Sequence, residues 1–142
     1  MKTSARNQFD GTVVACRAGA VNDLVDIQIP GGARIVAVVT HESAATLGLK
    51  PGARAFALVQ ASSVIVATEL GGARLSARNR FAGTVVSLTP GAVDAEVVVD
   101  IGGGTCVAAI VTQASLQAMG LAPRQKATVL FKASSVLVGV PG

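Results

Sequence analysis

From Val25 to Ile29, apolar and polar side chains alternate strictly, which is the period of a strand with one buried face. Pro30-Gly31-Gly32 is a hairpin turn, and Ile35 to Val39 is the returning strand. Upstream, residues 3 to 17 alternate less regularly but carry Thr12-Val13-Val14 and read as a first strand. Gly11 interrupts it, and a glycine inside a strand marks a bulge or a sharp bend of the kind closed barrels need. Thr40 then offers a side-chain oxygen to the free N–H groups at a helix start. A short helix over His41 to Leu47 ends at Gly48, and Lys50-Pro51-Gly52 turns the chain. Arg54 to Gln60 and Ser63 to Thr68 read as two more strands. Three strands, a helix and two strands predict a small five-stranded barrel of the OB kind.

The pattern then runs again. Ser4-Ala5-Arg6-Asn7 returns as Ser76-Ala77-Arg78-Asn79, a shift of 72 residues. The same shift carries Gly11-Thr12-Val13-Val14 onto Gly83-Thr84-Val85-Val86 and Gly19-Ala20-Val21 onto Gly91-Ala92-Val93. It also carries Val39-Thr40 onto Val111-Thr112 and Ala61-Ser62-Ser63-Val64 onto Ala133-Ser134-Ser135-Val136. The expected fold class is therefore all-β: two tandem OB-like five-stranded barrels, each with one short helix, over residues 1–70 and 71–142. The joint at Glu69-Leu70-Gly71-Gly72-Ala73 is short, so the copies are expected to pack closely.

Composition adds a constraint on assembly. Of 142 residues, 51% are hydrophobic and only 3% aromatic, a high apolar share for two small units. Surface is expected to be buried between units and between subunits, predicting a homo-oligomer. The net charge of +4 is a mild bias that suits a small anion at least as well as a polymer. No apolar run is long enough to span a bilayer, and Met1-Lys2-Thr3-Ser4 lacks the apolar core of a leader, so a cytoplasmic location is expected. Cys16 and Cys106 face Leu88 and Arg34 in the other copy; both read as small, buried or half-buried apolar residues.

The duplication also filters the polar residues. Those kept in both copies are Ser4/Ser76, Arg6/Arg78, Asn7/Asn79, Thr12/Thr84, Thr40/Thr112, Ser43/Ser115, Ser62/Ser134 and Ser63/Ser135. Nearly all are hydrogen-bond donors, one per copy is a guanidinium, and none is a carboxylate. The missing carboxylates argue against general acid–base catalysis and hard-cation binding. Donors without acidic neighbours suit a fully ionised oxyanion, which presents only acceptor oxygens. The plainer reading is that Thr40 and Ser43 cap a helix and Ser62 closes a turn. His41 faces Gln113, has no retained partner, and reads as a surface residue. Gly31-Gly32 and Gly102-Gly103-Gly104 lie between strands with no following helix or lysine, so they read as hairpin turns, not phosphate loops.

Ser-Ala-Arg-Asn, Gly-Thr-Val, Gly-Ala-Val-Asn, Val-Thr-x-x-Ser and Lys-Ala-Ser, in that order and twice save for Asp94 in the second copy and Gln60 in the first, resemble the Mop domain of the molbindins, in its tandem form. The resemblance implies a cytoplasmic protein that binds molybdate or tungstate for molybdenum storage or homeostasis, with no other cofactor, no resident metal and no catalysis. It implies trimers and oxyanion sites shared between neighbouring domains. One domain would give Ser4 and Arg6, or Ser76 and Arg78. Its neighbour would give Thr112, Ser115, Lys132, Ala133 and Ser134, or Thr40, Ser43, Ala61 and Ser62, with Gln60 at the lysine position. A second kind of site would use Ala20, Val21 and Asn22, or Ala92, Val93 and Asp94, where Asp94 departs from asparagine.

Two rivals belong to other classes. A nucleic-acid-binding OB barrel expects a basic groove with stacking aromatics, against four Phe, no Tyr and no Trp here. A purely structural oligomerisation module expects Arg6 and Arg78 to be dispensable for any ligand. No nucleic-acid or membrane partner is expected.

Overall fold

A computed structural model describes residues 1–142. Strand β1 (Asn7–Arg17) organises the first repeat. Its first half pairs with β4 (Arg54–Val59) and its second half with β2 (Asn22–Gln28), and Thr12 faces both Arg54 and Gln28. β2 pairs in turn with β3 (Arg34–Thr40), which leads directly into α1 (His41–Leu47). The second repeat follows the same course through β6 (Asn79–Thr89), β7 (Asp94–Gly102), β8 (Thr105–Thr112), α2 (Gln113–Met119) and β9 (Lys126–Phe131).

The expected barrels form, but not from one repeat each. After a single 3-10 turn at Ala61–Ser63, β5 (Ile65–Ala67) pairs with β9 of the second repeat. After the equivalent turn at Ala133–Ser135, β10 (Leu137–Gly139) pairs with β4 of the first. The two five-stranded sheets therefore run β10-β4-β1-β2-β3 and β5-β9-β6-β7-β8. The duplicated sequence makes this exchange possible. Leu137 opposite Leu58 is the same match, shifted by 72, as Ile65 opposite Leu130, so either final strand fits either edge. Exchange joins the copies, and residues of both repeats form one cluster of 25 buried side chains, including Val13, Ile27 and Ile35 with Val97, Val129 and Phe131.

Gly11 and Gly83 serve close approach. A Cβ on Gly11 would strike the Gln28 carbonyl oxygen, and one on Gly83 that of Asp100, at the point where β1 and β6 change partner. The register shifts lie just beyond, between Val13 and Ala15 and between Val85 and Ser87. The hairpin tips also meet: a Cβ on Gly31 would lie 2.8 Å from the Cα of Gly103. Cys16 is half-buried as expected, whereas Cys106, expected to be buried or half-buried, is exposed: it is the second residue of β8, next to the hairpin tip and ahead of the buried run Val107–Ala109.

Candidate binding site at the repeat junctions

The retained Ser-Ala-Arg-Asn segments are where the repeats grip each other. The Asn7 amide donates to Ala108 O at 2.9 Å and accepts from Ala108 N at 2.7 Å, pairing with β8 as a strand backbone would. Asn79 does the same to Val36 of β3, at 2.8 Å in both directions. Both asparagines are buried. Their retention therefore has a structural cause. Sequence alone did not separate them from ligand-binding groups, because both roles select the same polar residue.

The pinned Asn7 lays the preceding arginine along the neighbouring repeat. Arg6 makes a two-pronged ion pair with Glu96 of β7, including Nη2 to Oε1 at 2.9 Å. Glu96 stands opposite Ile110, two residues before Thr112. The expectation that these guanidiniums have no acidic neighbour is thus corrected for Arg6. It escaped the duplication filter because Glu96 corresponds to Leu24, so no carboxylate is retained. Arg78, exposed, makes no ion pair.

β3 and β8 end in the two Thr-x-x-Ser caps. Thr40 Oγ1 accepts from Ser43 N at 3.1 Å, and Thr112 Oγ1 accepts from Ser115 N at 3.0 Å. Thr112 also donates to Ser115 Oγ at 2.8 Å. The plainer reading is correct as far as it goes: these residues do cap helices. All four residues are exposed.

The Ala-Ser-Ser turns follow the strand exchange. Ala61–Ser63 packs against β8 of the second repeat, and Ala133–Ser135 against β3 of the first. Within the chain, Lys132, Ala133 and Ser134 therefore lie with the strand that ends at Thr40, and Gln60, Ala61 and Ser62 with the strand that ends at Thr112. This differs from the repeat-by-repeat grouping above, and the cause is the crossed connection. Ala61 and Ala133 are buried, whereas Ser62, Ser134 and Lys132 are exposed. Between the turns lies a cavity of ≈ 470 Å³ lined by Thr3, Ser4, Ala5, Leu58, Gln60, Ser63, Ser135 and Leu137. Its serines are the exposed Ser4 and the half-buried Ser63 and Ser135, and neither Ser62 nor Ser134 lines it. Ser76 is exposed on the segment leading to Arg78.

The Gly-Ala-Val loops abut the caps. Val21 O accepts from His41 N at 2.9 Å, and Val93 O accepts from Gln113 N at 2.8 Å. Asn22 stands opposite Thr40, and Asp94 opposite Thr112. Ala20, Val21 and Asn22, like Ala92, Val93 and Asp94, are exposed.

One cluster occurs only in the first repeat. Buried Asp23 accepts from Gly19 N at 3.1 Å and contacts His41 Nδ1 at 2.9 Å. The imidazole hydrogen bond, then the Gly19 N–H, hold the Asp23 carboxyl below its ordinary range. Burial, then the Asp23 charge, push the Cys16 thiol up, away from reactive thiolate. His41 is thus exposed, as expected, but not partnerless. In the second repeat Ala95 and Gln113 stand in place of Asp23 and His41, and Gln113 Oε1 is buried with no hydrogen-bond partner. No group of three or more His, Cys, Asp and Glu side chains is placed to hold a metal ion, and no helix is long and apolar enough to cross a membrane.

Comparison with known proteins matches this architecture. Residues 3–66 and 75–138 each match the TOBE domain. The chain is 44% identical over 140 residues to the molybdenum transport protein ModE of Herbaspirillum seropedicae, covering 99% of this chain and 52% of that protein. It is 42% identical over 141 residues to the molybdenum-pterin-binding protein MopA of Rhodobacter capsulatus, covering 99% of this chain and 53% of that protein. The chain thus spans about half the length of these curated relatives. Among solved structures, the cytoplasmic molybdate-binding protein ModG with molybdate bound superposes with a TM-score of 0.96 at 48% identity, covering 99% of this chain and 100% of that one. The chain belongs to the TOBE-domain family, as a tandem pair of Mop-like domains.

Proposed function

We propose that this chain binds molybdate or tungstate at the junctions between its domains, and catalyses no reaction. The observation that carries the reading is the duplicated placement of donors. Each Ser-x-Arg segment is fastened by its asparagine to a strand of the other repeat, and that strand ends in an exposed Thr-x-x-Ser cap. The likeness to a molybdate-bound protein over its full length supports the same ligand. Hydroxyls, amides and guanidinium suit an ion that offers only acceptors. Selectivity against phosphate comes from the Arg78 junction, where no carboxylate pairs with the guanidinium to accept a phosphate proton, and selectivity against sulfate from cavity size.

Ser4, Arg6, Ser76 and Arg78, the two Thr-x-x-Ser pairs, Lys132 and the Ala-Ser turns are the residues assigned to the junction sites. The loops at Ala20–Asn22 and Ala92–Asp94 are assigned to a second kind of site. Three copies of the chain assemble in this reading, in the cytoplasm, to store or buffer molybdenum. Its support is the set of exposed apolar residues that recur in both repeats: Val21 (75% exposed) with Val93 (74%), and Ile65 (62%) with Leu137 (66%). Single exposed apolar residues need no explanation, but matched pairs on both copies fit a repeated contact surface.

The nucleic-acid alternative loses its stacking surface. Phe9 and Phe131 are buried, Phe81 packs on Phe131 with ring centroids 5.9 Å apart, and the Phe56 ring lies under Gly139. Equilibrium dialysis against molybdate followed by elemental analysis tests the proposal. Retained molybdenum that is lost when Arg6 and Arg78 are both changed to Ala is the expected result. No retained metal at saturating molybdate or tungstate defeats it, and retention untouched by the double change favours the structural-module reading for these arginines.

A further inference from the structure

Resting on the junction sites just proposed, the geometry points to Glu96 as an internal competitor for the anion: its carboxylate occupies the Arg6 guanidinium and makes that junction the weaker of two unequal sites. The two arginines are equivalent by duplication but not by surroundings. Arg6 presents both terminal nitrogens to the two oxygens of Glu96, the same forked arrangement a tetrahedral oxyanion would use. At the other junction the corresponding residue is Leu24, opposite Val38 on β3, and Arg78 makes no ion pair.

The charges on the turns and on the loops beside the caps favour the same order. The turn against β8 begins at neutral Gln60, whereas the turn against β3 begins at Lys132. The loop beside the Thr112 cap carries Asp94 where the other carries Asn22. On the Arg78 side, β2 carries Asp26, opposite Val36 and in no ion pair, and Asp23, buried against His41; Glu42, in the first turn of α1, is the one carboxylate at a cap on this side and makes no ion pair. An anion entering at Arg6 therefore displaces a carboxylate already bound there, while one entering at Arg78 does not. Arg6 is the more exposed partner, 56% against 20% for Glu96, so the guanidinium has room to turn from one anion to the other.

The consequence is a chain that fills in order as the anion concentration rises. Titration calorimetry with sodium molybdate tests it on the full chain. Two classes of site are expected, and Glu96→Leu or the isosteric Glu96→Gln should tighten the weaker class by roughly two- to fivefold, the effect of removing one competing ion pair at a partly exposed position. Leu24→Glu should weaken the stronger class by a similar factor. Thermal melts of the three variants check that each folds. If Glu96→Gln weakens binding, Glu96 instead holds Arg6 ready for the anion, and the inference is overturned. Unchanged affinities in folded variants overturn it too, while leaving the molybdate reading intact. Absence of molybdate binding in the unaltered chain removes both.

Discussion

At one junction Arg6 is closed onto Glu96; at the other Leu24 takes the place of Glu96, Arg78 makes no ion pair, and Lys132 heads the adjacent turn. The backbones agree: the same register, the same threonine caps, the same asparagine bridge at 2.7–2.9 Å. What differs is charge on positions that point outward. A duplicated fold fixes what must be shared, namely the strand edge and the buried amide. It leaves the outward positions free to diverge, and divergence there makes two unequal sites on one frame.

The largest expected effect comes from breaking what the junctions share. Asn79→Leu removes a buried amide and leaves Val36 N–H and C=O without partners, a loss of about 3 kcal/mol at 1–3 kcal/mol per unsatisfied group. Chemical denaturation should show it, and Asn7→Leu should match it through Ala108. Equal losses would place the two bridges on one footing; a loss under about 1 kcal/mol at either would show that water replaces the amide there.

Next is the charge difference itself. Lys132→Gln makes its turn resemble the one headed by Gln60 and should weaken the tighter class of site by about tenfold, the gap between a charge-assisted and a neutral hydrogen bond. Calorimetry reads this directly, and an unchanged isotherm removes Lys132 from the site. A comparable effect, about 1–2 kcal/mol of stability, is expected for Gly103→Ala. Its φ of +63° and the nearby Gly31 Cα leave no room for a methyl group.

The smallest effect separates the repeats by pH. Asp23 titrates lower in the folded protein than unfolded, chiefly because His41 bonds its carboxylate. The stability it contributes is therefore complete above its unfolded pKa of about 3.9 and is lost as pH falls through the lower folded value. Asp23→Asn should flatten that part of an acid-unfolding profile, whereas a change at Ala95, the matching position, should not. A profile of unchanged shape in Asp23→Asn would contradict the assignment.

Much of this was legible in the sequence because alternation and caps are local. The helix His41–Leu47, its Thr40 cap and its Gly48 stop have the residues and bounds that the sequence predicts, with Gly48 at φ 66°. The strand exchange was not legible, since two copies of Ala-Ser-Ser-Val fit either sheet and no local pattern distinguishes them. Nor was Glu96: comparing the copies finds what they share, and a carboxylate present in one only is invisible to that filter. Asn7 and Asn79 were found but not sorted, because a buried bridge and a ligand group leave the same trace. Ser63 and Ser135 were likewise found, but only the turn geometry shows that they, and not Ser62 and Ser134, line the cavity between the turns.

The most direct measurement is a molybdenum anomalous-difference map from crystals of the chain grown with limiting molybdate. Scattering peaks beside Arg78 and the strand that ends at Thr40, filling before any peak beside Arg6, are the predicted result. Peaks only at sites remote from both arginines, or none at saturation, would contradict the account.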